Sequence, residues 1–153
     1  VLQQRMLVAD DNDSITSPAD IQNGDFKVAT QKGTTNYELA VSLFGADKVD
    51  AYDQFDFAIA AVISGDADAS IVDEVAGLGY MGANKDKVKL VGEGLQTDPL
   101  GFALPDGSPL VAVINEGVAH MKDNGKLQEI NDKFFSPGFT VTYDDIAEVT
   151  YDE

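Results

Sequence analysis

The chain has 153 residues, 27 of them acidic and 10 basic, with one histidine and neither cysteine nor tryptophan. At 44% apolar and 24% charged it has a globular composition, and its net charge of −17 repels phosphate backbones and anionic lipid alike, which argues against nucleic acid as a partner. A disulfide, a thiol nucleophile and a cysteine-held zinc are excluded, and the longest strongly apolar stretch, around Phe57 to Ile63, falls far short of the roughly 20 residues that span a bilayer.

Residues 1–9 read as a strand, followed by the polar run Asp10 to Ser14. Ser17-Pro18 opens a short helical turn, with serine as cap and proline in the first turn. Residues 26–30 form a strand that runs into Gln31-Lys32-Gly33-Thr34-Thr35. A helix follows, with Thr35 and Glu38 at capping-box spacing and Leu39, Leu43 and Phe44 as its buried stripe. Residues 48–52 predict the next strand. Asp53 then caps a helix in which Phe55, Ala58, Ile59 and Val62 share one face, and Ser64-Gly65-Asp66 ends it. An apolar strand over 69–72 stops at Asp73, before a glycine-rich helix from Glu74 to about Met81.

Residues 88–91 and 100–104 read as two further strands. Ser108-Pro109 starts a long helix with Leu110, Val111, Ile114, Val118 and Met121 facing inward, closed at Asn124-Gly125. A last helix over 126–135 buries Leu127, Ile130 and Phe134. After Pro137 the tail is acidic and aromatic, and is expected to be partly mobile or to lie across another surface. Strand alternating with helix predicts an α/β fold, a three-layer α/β/α arrangement with a mostly parallel sheet covered on both faces.

Signals for catalysis are sparse. A serine triad would need His120, which sits mid-helix on a surface or boundary face, and neither a Gly-x-Ser-x-Gly elbow nor a phosphate loop occurs. Asp11-Asn12-Asp13 lacks the glycine and glutamate that complete a calcium loop, since Thr16 and Gln22 hold those positions. The expectation is therefore a chain with no catalytic residues, no metal site and no cofactor.

Two strand-to-helix junctions carry more. At Gly33-Thr34-Thr35, glycine lets a ligand approach the main chain, and two hydroxyls stand beside the free amides of a helix start, a receptor for a carboxylate. Plain capping by Thr34 or Thr35 explains the same residues equally well. At Ile71-Val72-Asp73-Glu74 an aspartate ends an apolar strand, where the ligand crevice of an open α/β sheet lies; it suits a ligand ammonium, or simply caps the helix. Both junctions follow parallel strands, so both should open on one sheet edge and could hold the two charges of a zwitterion.

The ordered segments Ser17-Pro18-Ala19-Asp20, Gln31-Lys32-Gly33-Thr34-Thr35, Ala51-Tyr52-Asp53, Gly65 to Ala69, Val72 to Ala76, Gly101 to Leu104 and Gly125 to Phe135 resemble the extracytoplasmic solute-binding proteins of amino-acid ABC transporters, of the bacterial family 3 type (periplasmic-binding-protein-like II). The resemblance runs from about residue 5 to 135. It implies two α/β lobes closing on an amino acid, with the Gly33-Thr34-Thr35 turn on the α-carboxylate, Asp73 on the α-ammonium, and Gln31 and Lys32 beside the cleft. It implies a membrane permease as partner and a periplasmic or extracellular location, in a parent protein bearing a signal peptide or a membrane anchor.

By the same resemblance, residues 1–98 correspond to the second lobe with the first crossing strand. Residues 99–135 correspond to the return strand and helices that normally complete the first lobe, and 136–153 to an acidic tail. The N-terminal part of the first lobe, with the arginine that clamps the carboxylate, has no counterpart, and Arg5 does not match it. Each fully buried aliphatic side chain contributes about 1.5–3 kcal/mol, so leaving Leu110, Val111, Ile114, Val118, Leu127, Ile130 and Phe134 bare forfeits more than a domain's net stability. Those helices are expected to fold back on the second lobe, pair in a homodimer, or dock on a missing N-terminal lobe fragment. Two rival functions remain open: an enzyme on the same scaffold (dehydratase or peptidoglycan-cleaving, with Asp73 or Glu74 as acid), and the ligand-sensing domain of a receptor.

Overall fold

Alternation of apolar residues along the strands decides which elements stack on which side. A computed structural model of the chain describes residues 2–134. The elements are β1 (Leu2–Ala9), α1 (Pro18–Asn23), β2 (Val28–Gln31), α2 (Thr35–Phe44), a 3-10 turn over Ala46–Lys48, β3 (Val49–Tyr52), α3 (Phe55–Ser64), β4 (Ala69–Asp73), α4 (Glu74–Ala83), β5 (Val88–Asp98), α5 (Leu110–Asp123) and α6 (Lys126–Phe134). Five strands form one sheet in the order β3-β2-β4-β1-β5. β2 pairs in parallel with β3 and β4, whereas β1 is antiparallel to both β4 and β5. Four strands thus run one way, and the mostly parallel expectation needs one correction: β1 runs against them.

The two faces separate by period 2. Met6, Val8, Val28, Ala69 and Ile71 pack with Ile21, Ala40 and Phe44 on the side of α1 and α2. Leu7, Ala29 and Val72 pack with Ala58, Ile59 and Val62 on the side of α3. Gln4 lies two residues before Met6, so it points to the α2 side, and it is fully buried.

The remaining corrections have local causes. The helix after the Gly33 turn is capped by Thr34, not Thr35: Thr34 is extended (φ −113°, ψ 161°) and its Oγ1 accepts from Tyr37 N–H. The buried stripe of α2 is correspondingly Asn36, Ala40 and Phe44, with Leu39 and Leu43 half-buried. Asp53 does not cap α3, since Gln54 holds that position without a side-chain bond and Asp53 pairs with Lys32.

The strand read over 88–91 continues to Asp98. Between the Gln4–Gln96 and Met6–Val91 pairs the register shifts, with Gly92 at φ 66°, and the ladder resumes beyond this bulge. Gly92-Glu93-Gly94 therefore looks like a strand end and is a bulge. Residues 100–104 are not a strand; Pro99 offers no N–H and ends the ladder at Asp98.

The expectation that α5 and α6 bury their apolar faces is not met within the described residues. Neither helix has a buried residue, and Leu110 is 54% and Val113 64% exposed. Ile114, Val118 and Met121 are only half-covered, and α5 packs chiefly on α6. The acidic tail lies outside the described residues.

Core and periphery should differ sharply. Ile71→Ala, in the middle of the buried strand β4, is expected to cost about 2–5 kcal/mol in urea unfolding, and Val113→Ala on exposed α5 no more than about 0.5 kcal/mol.

Candidate functional site

Parallel neighbours deliver their carboxyl ends to the same sheet edge. The β2–β4 register (Val28 with Ala69, Ala29 with Ser70) sets the Gly33-Thr34-Thr35 turn beside Asp73. Asn36, in the first turn of α2, joins them. With its carboxamide oriented to satisfy both ends, Nδ2 donates to Asp73 Oδ1 (3.2 Å) and Oδ1 accepts from Asp73 N–H (3.2 Å).

At the turn, Gly33 has φ 71°, a left-handed backbone that favours glycine, and the space before its α-carbon is open. The main-chain N–H groups of Gly33, Thr35 and Asn36 carry no hydrogen bond among the described residues, so the positive end of α2 faces outward. The two hydroxyls divide their tasks. Thr34 Oγ1 is committed to the helix start, donating to Gln31 O (2.7 Å) and accepting from Tyr37 N (3.2 Å). Thr35 is exposed, and its Oγ1 accepts from Gln4 Nε2 (3.0 Å).

Gln31 and Lys32 turn toward β3. Gln31 Nε2 donates to Asp53 O (3.0 Å), and Lys32 forms an ion pair with the Asp53 carboxylate. At the other corner Asp73 begins α4, yet its carboxylate makes no capping bond to that helix, so the capping alternative is not realised there. Its neighbour Glu74 is occupied by Arg5 (2.7 Å), which also donates to Gly92 O. A cleft of about 650 Å³ opens in front of Asp73, between the first turn of α4 and Leu127, Gln128 and Asn131 of α6.

Three residues of this edge escape sequence reading: Gln4, Asn36 and Asp98. Gln4 Nε2 donates to Thr35 Oγ1 and to Asp98 Oδ2, while Gln96 Nε2 donates to Asp98 Oδ1 (3.1 Å). The signal for Gln4 and Asn36 was a polar residue on a core-facing stripe. Asp98 gave none, because its strand appeared to end at Val91. The two aspartates titrate in opposite directions. Partial burial, with the Asp98 charge second, pushes Asp73 above the ordinary carboxylate value, whereas hydrogen bonds from Gln96, Gln4 and Thr35 hold Asp98 below it.

Elsewhere, His120 is exposed, and Asn12 Oδ1 accepts from Ser14 and Ile15 N–H as an ordinary turn. No group of His, Asp and Glu able to hold a metal ion occurs among the described residues.

No family model matches the chain. It is 31% identical over 137 residues to the L-cystine-binding protein TcyJ of Escherichia coli (strain K12), covering 88% of this chain and 50% of that protein. The structure of a putative binding component of an ABC transporter from Wolinella succinogenes DSM 1740, complexed with lysine, matches with a TM-score of 0.76 and 26% identity, over 88% of this chain and 59% of that one. The ancestral amino acid-binding protein AncCDT-1, a precursor of cyclohexadienyl dehydratase, matches with a TM-score of 0.74 and 31% identity, over 88% and 58%. The chain spans about half the length of the curated relatives it matches. It is homologous to the amino-acid-binding solute-binding proteins of the family 3 type and carries the fold of their periplasmic-binding-protein-like II lobes.

Two substitutions separate scaffold from site. Thr34→Ala should lower unfolding free energy by about 1 kcal/mol through the lost cap. Asp73→Asn should melt no lower than the parent at pH 7. A carboxyl raised in the folded state costs stability at pH values above its folded pKa, and the cost fades as pH falls toward the ordinary 3.8. Thermal melts across pH check both, and a clear loss of stability in Asp73→Asn at pH 7 contradicts this assignment.

Proposed function

We propose that this homologue of the amino-acid-binding solute-binding proteins is an amino-acid-binding lobe, gripping α-carboxylate and α-ammonium at the two corners of one sheet edge. The observation that carries the reading is the juxtaposition itself: unpartnered amides at the start of α2, and the Asp73 carboxylate fixed beside them by Asn36. The ligand carboxylate meets the N–H groups of Gly33, Thr35 and Asn36 and the Thr35 hydroxyl. The ammonium meets Asp73. Thr34 serves as scaffold, and Gln31 and Lys32 line the approach from β3.

In the parent protein residues 1–98 supply the second lobe, 99–135 the return into the first, and 136–153 an acidic tail. The bare apolar face of α5 and α6 docks on the rest of that first lobe. Closure hides the ligand charges and presents a surface to the membrane permease of an ABC transporter, outside the cytoplasm. Relatives named as binding proteins support binding over turnover. Of the two acids open to a catalytic role, Glu74 is neutralised by Arg5, which leaves Asp73 without a second free acid on α4.

Half a site binds weakly. Two charge-assisted anchors at about 1.5–3 kcal/mol each give a Kd on the order of 1 mM for this chain alone. Amide chemical-shift titration with L-alanine should saturate in that range, with the largest changes at Gly33, Thr35 and Asn36. N-acetylalanine and alanine amide, each lacking one charge, should bind about tenfold more weakly or worse. Equal affinity for the blocked analogues, or no saturable change, overturns the reading.

A further inference from the structure

We propose that Arg5 is a positioning residue that sets the charge this site accepts: by pairing with Glu74 it leaves the ammonium corner a single free carboxylate, so that the site takes a zwitterion in preference to a lone cation. The inference rests on the amino-acid-binding reading above and adds what determines the charge of the ligand.

Placement comes first. Arg5 pairs with Val72 in the β1–β4 ladder, one residue along from the Gln4–Asp73 pair, so its side chain leaves the sheet on the face opposite Gln4. There Nη1 donates to Glu74 Oε1 (2.7 Å) in the first turn of α4, and Nη2 donates to Gly92 O (2.7 Å) at the bulge of β5. Glu74 follows Asp73 directly, and the two line the same cleft, with Asp132 of α6 at its rim. Arg5 reaches that cleft only through Glu74.

Shelter comes next. Of the four ion pairs among the described residues, Arg5–Glu74 is the most covered, its side chains 19% and 36% exposed against 64% and 72% for Lys32–Asp53. Solvent and salt screen such a pair less than the others. The guanidinium is held at both terminal nitrogens, while its Nε is buried without an acceptor. The two terminal contacts offset that unmet donor, and together they fix the guanidinium in one place.

The consequence is a matter of charge count. Released from Arg5, Glu74 becomes a second carboxylate beside Asp73 at the head of one helix. It then draws a ligand that carries only the ammonium and repels one that carries only the carboxylate. Paired, it does neither, and Asp73 alone meets the ammonium. Arg5 therefore shapes specificity without touching the ligand.

The test uses the full chain, Arg5→Gln, Glu74→Gln and the double variant, each titrated with L-alanine, alanine amide and N-acetylalanine and followed by amide chemical shifts. General attraction of cations to a chain of net charge −17 is common to all four, since no variant changes the total by more than one. The readout is the ratio of the affinities for alanine amide and N-acetylalanine. Arg5→Gln should move it toward the amide by about tenfold. Glu74→Gln, which leaves Arg5 unanswered at the cleft, should move it toward N-acetylalanine, and the double variant should return it close to the parent ratio. A purely structural role for Arg5 weakens all three ligands alike and leaves the ratio where it was.

A ratio unmoved in Arg5→Gln, or a double variant that keeps the Arg5→Gln shift, overturns the inference and leaves amino-acid binding standing. If Arg5→Gln does not fold, Glu74→Gln decides alone, and a ratio equal to the parent's overturns the inference. Failure of the parent to bind L-alanine more tightly than both blocked analogues removes the amino-acid reading itself, and the inference with it.

Discussion

The parallel pairing of β2 with β4 is the constraint on which the site depends. It forces two strand-to-helix junctions to the same edge, one ending in a glycine turn with free amides and the other in an aspartate. Neither junction is unusual alone. Asn36 makes them a unit, because one buried carboxamide both accepts from Asp73 N–H and donates to its carboxylate. That bond holds the half-buried Asp73 carboxylate at the edge, and no side-chain bond to α4 competes for it.

The described residues combine a well-packed sheet with helices that bury almost nothing. Residues 2–98 place apolar side chains on both faces under α1, α2 and α3, so the edge that carries the site is rigidly based. In contrast, α5 and α6 leave Leu110, Val111 and Val113 largely in solvent. Large contiguous apolar patches on folded proteins mark contact surfaces. The cleft before Asp73 is bounded on its far side by α6, so the segment with the least burial also borders the site. In the proposed two-lobed parent, the same geometry lets ligand closure and lobe packing share one boundary.

Much of this was legible in the residues, and the exceptions are instructive. Period-2 and period-3.6 patterns, with the cap and turn residues, located β1, β2, β3, β4 and the helices to within a few positions, although α5 and α6 bury no residue. The pattern broke where the backbone did. Gly92-Glu93-Gly94 hid a strand that continues past a bulge, and Phe102 with its apolar neighbours imitated a strand that has no partner ladder. The two corners were visible as motifs, but which hydroxyl caps α2 and which does not was hidden. That assignment turns on a difference of one residue, between Thr34 and Thr35. Gln4, Asn36 and Asp98 were missed because their roles arise from contacts 31 to 94 residues apart in sequence.

A crystal structure of this chain with a bound amino acid tests the two-corner grip most directly. The ligand carboxylate should lie against the amides of Gly33, Thr35 and Asn36, with the ammonium on Asp73 and the Asn36–Asp73 bridge intact. An amino acid found in the reverse orientation, or seated away from that edge with both corners empty, contradicts the grip and everything built on it.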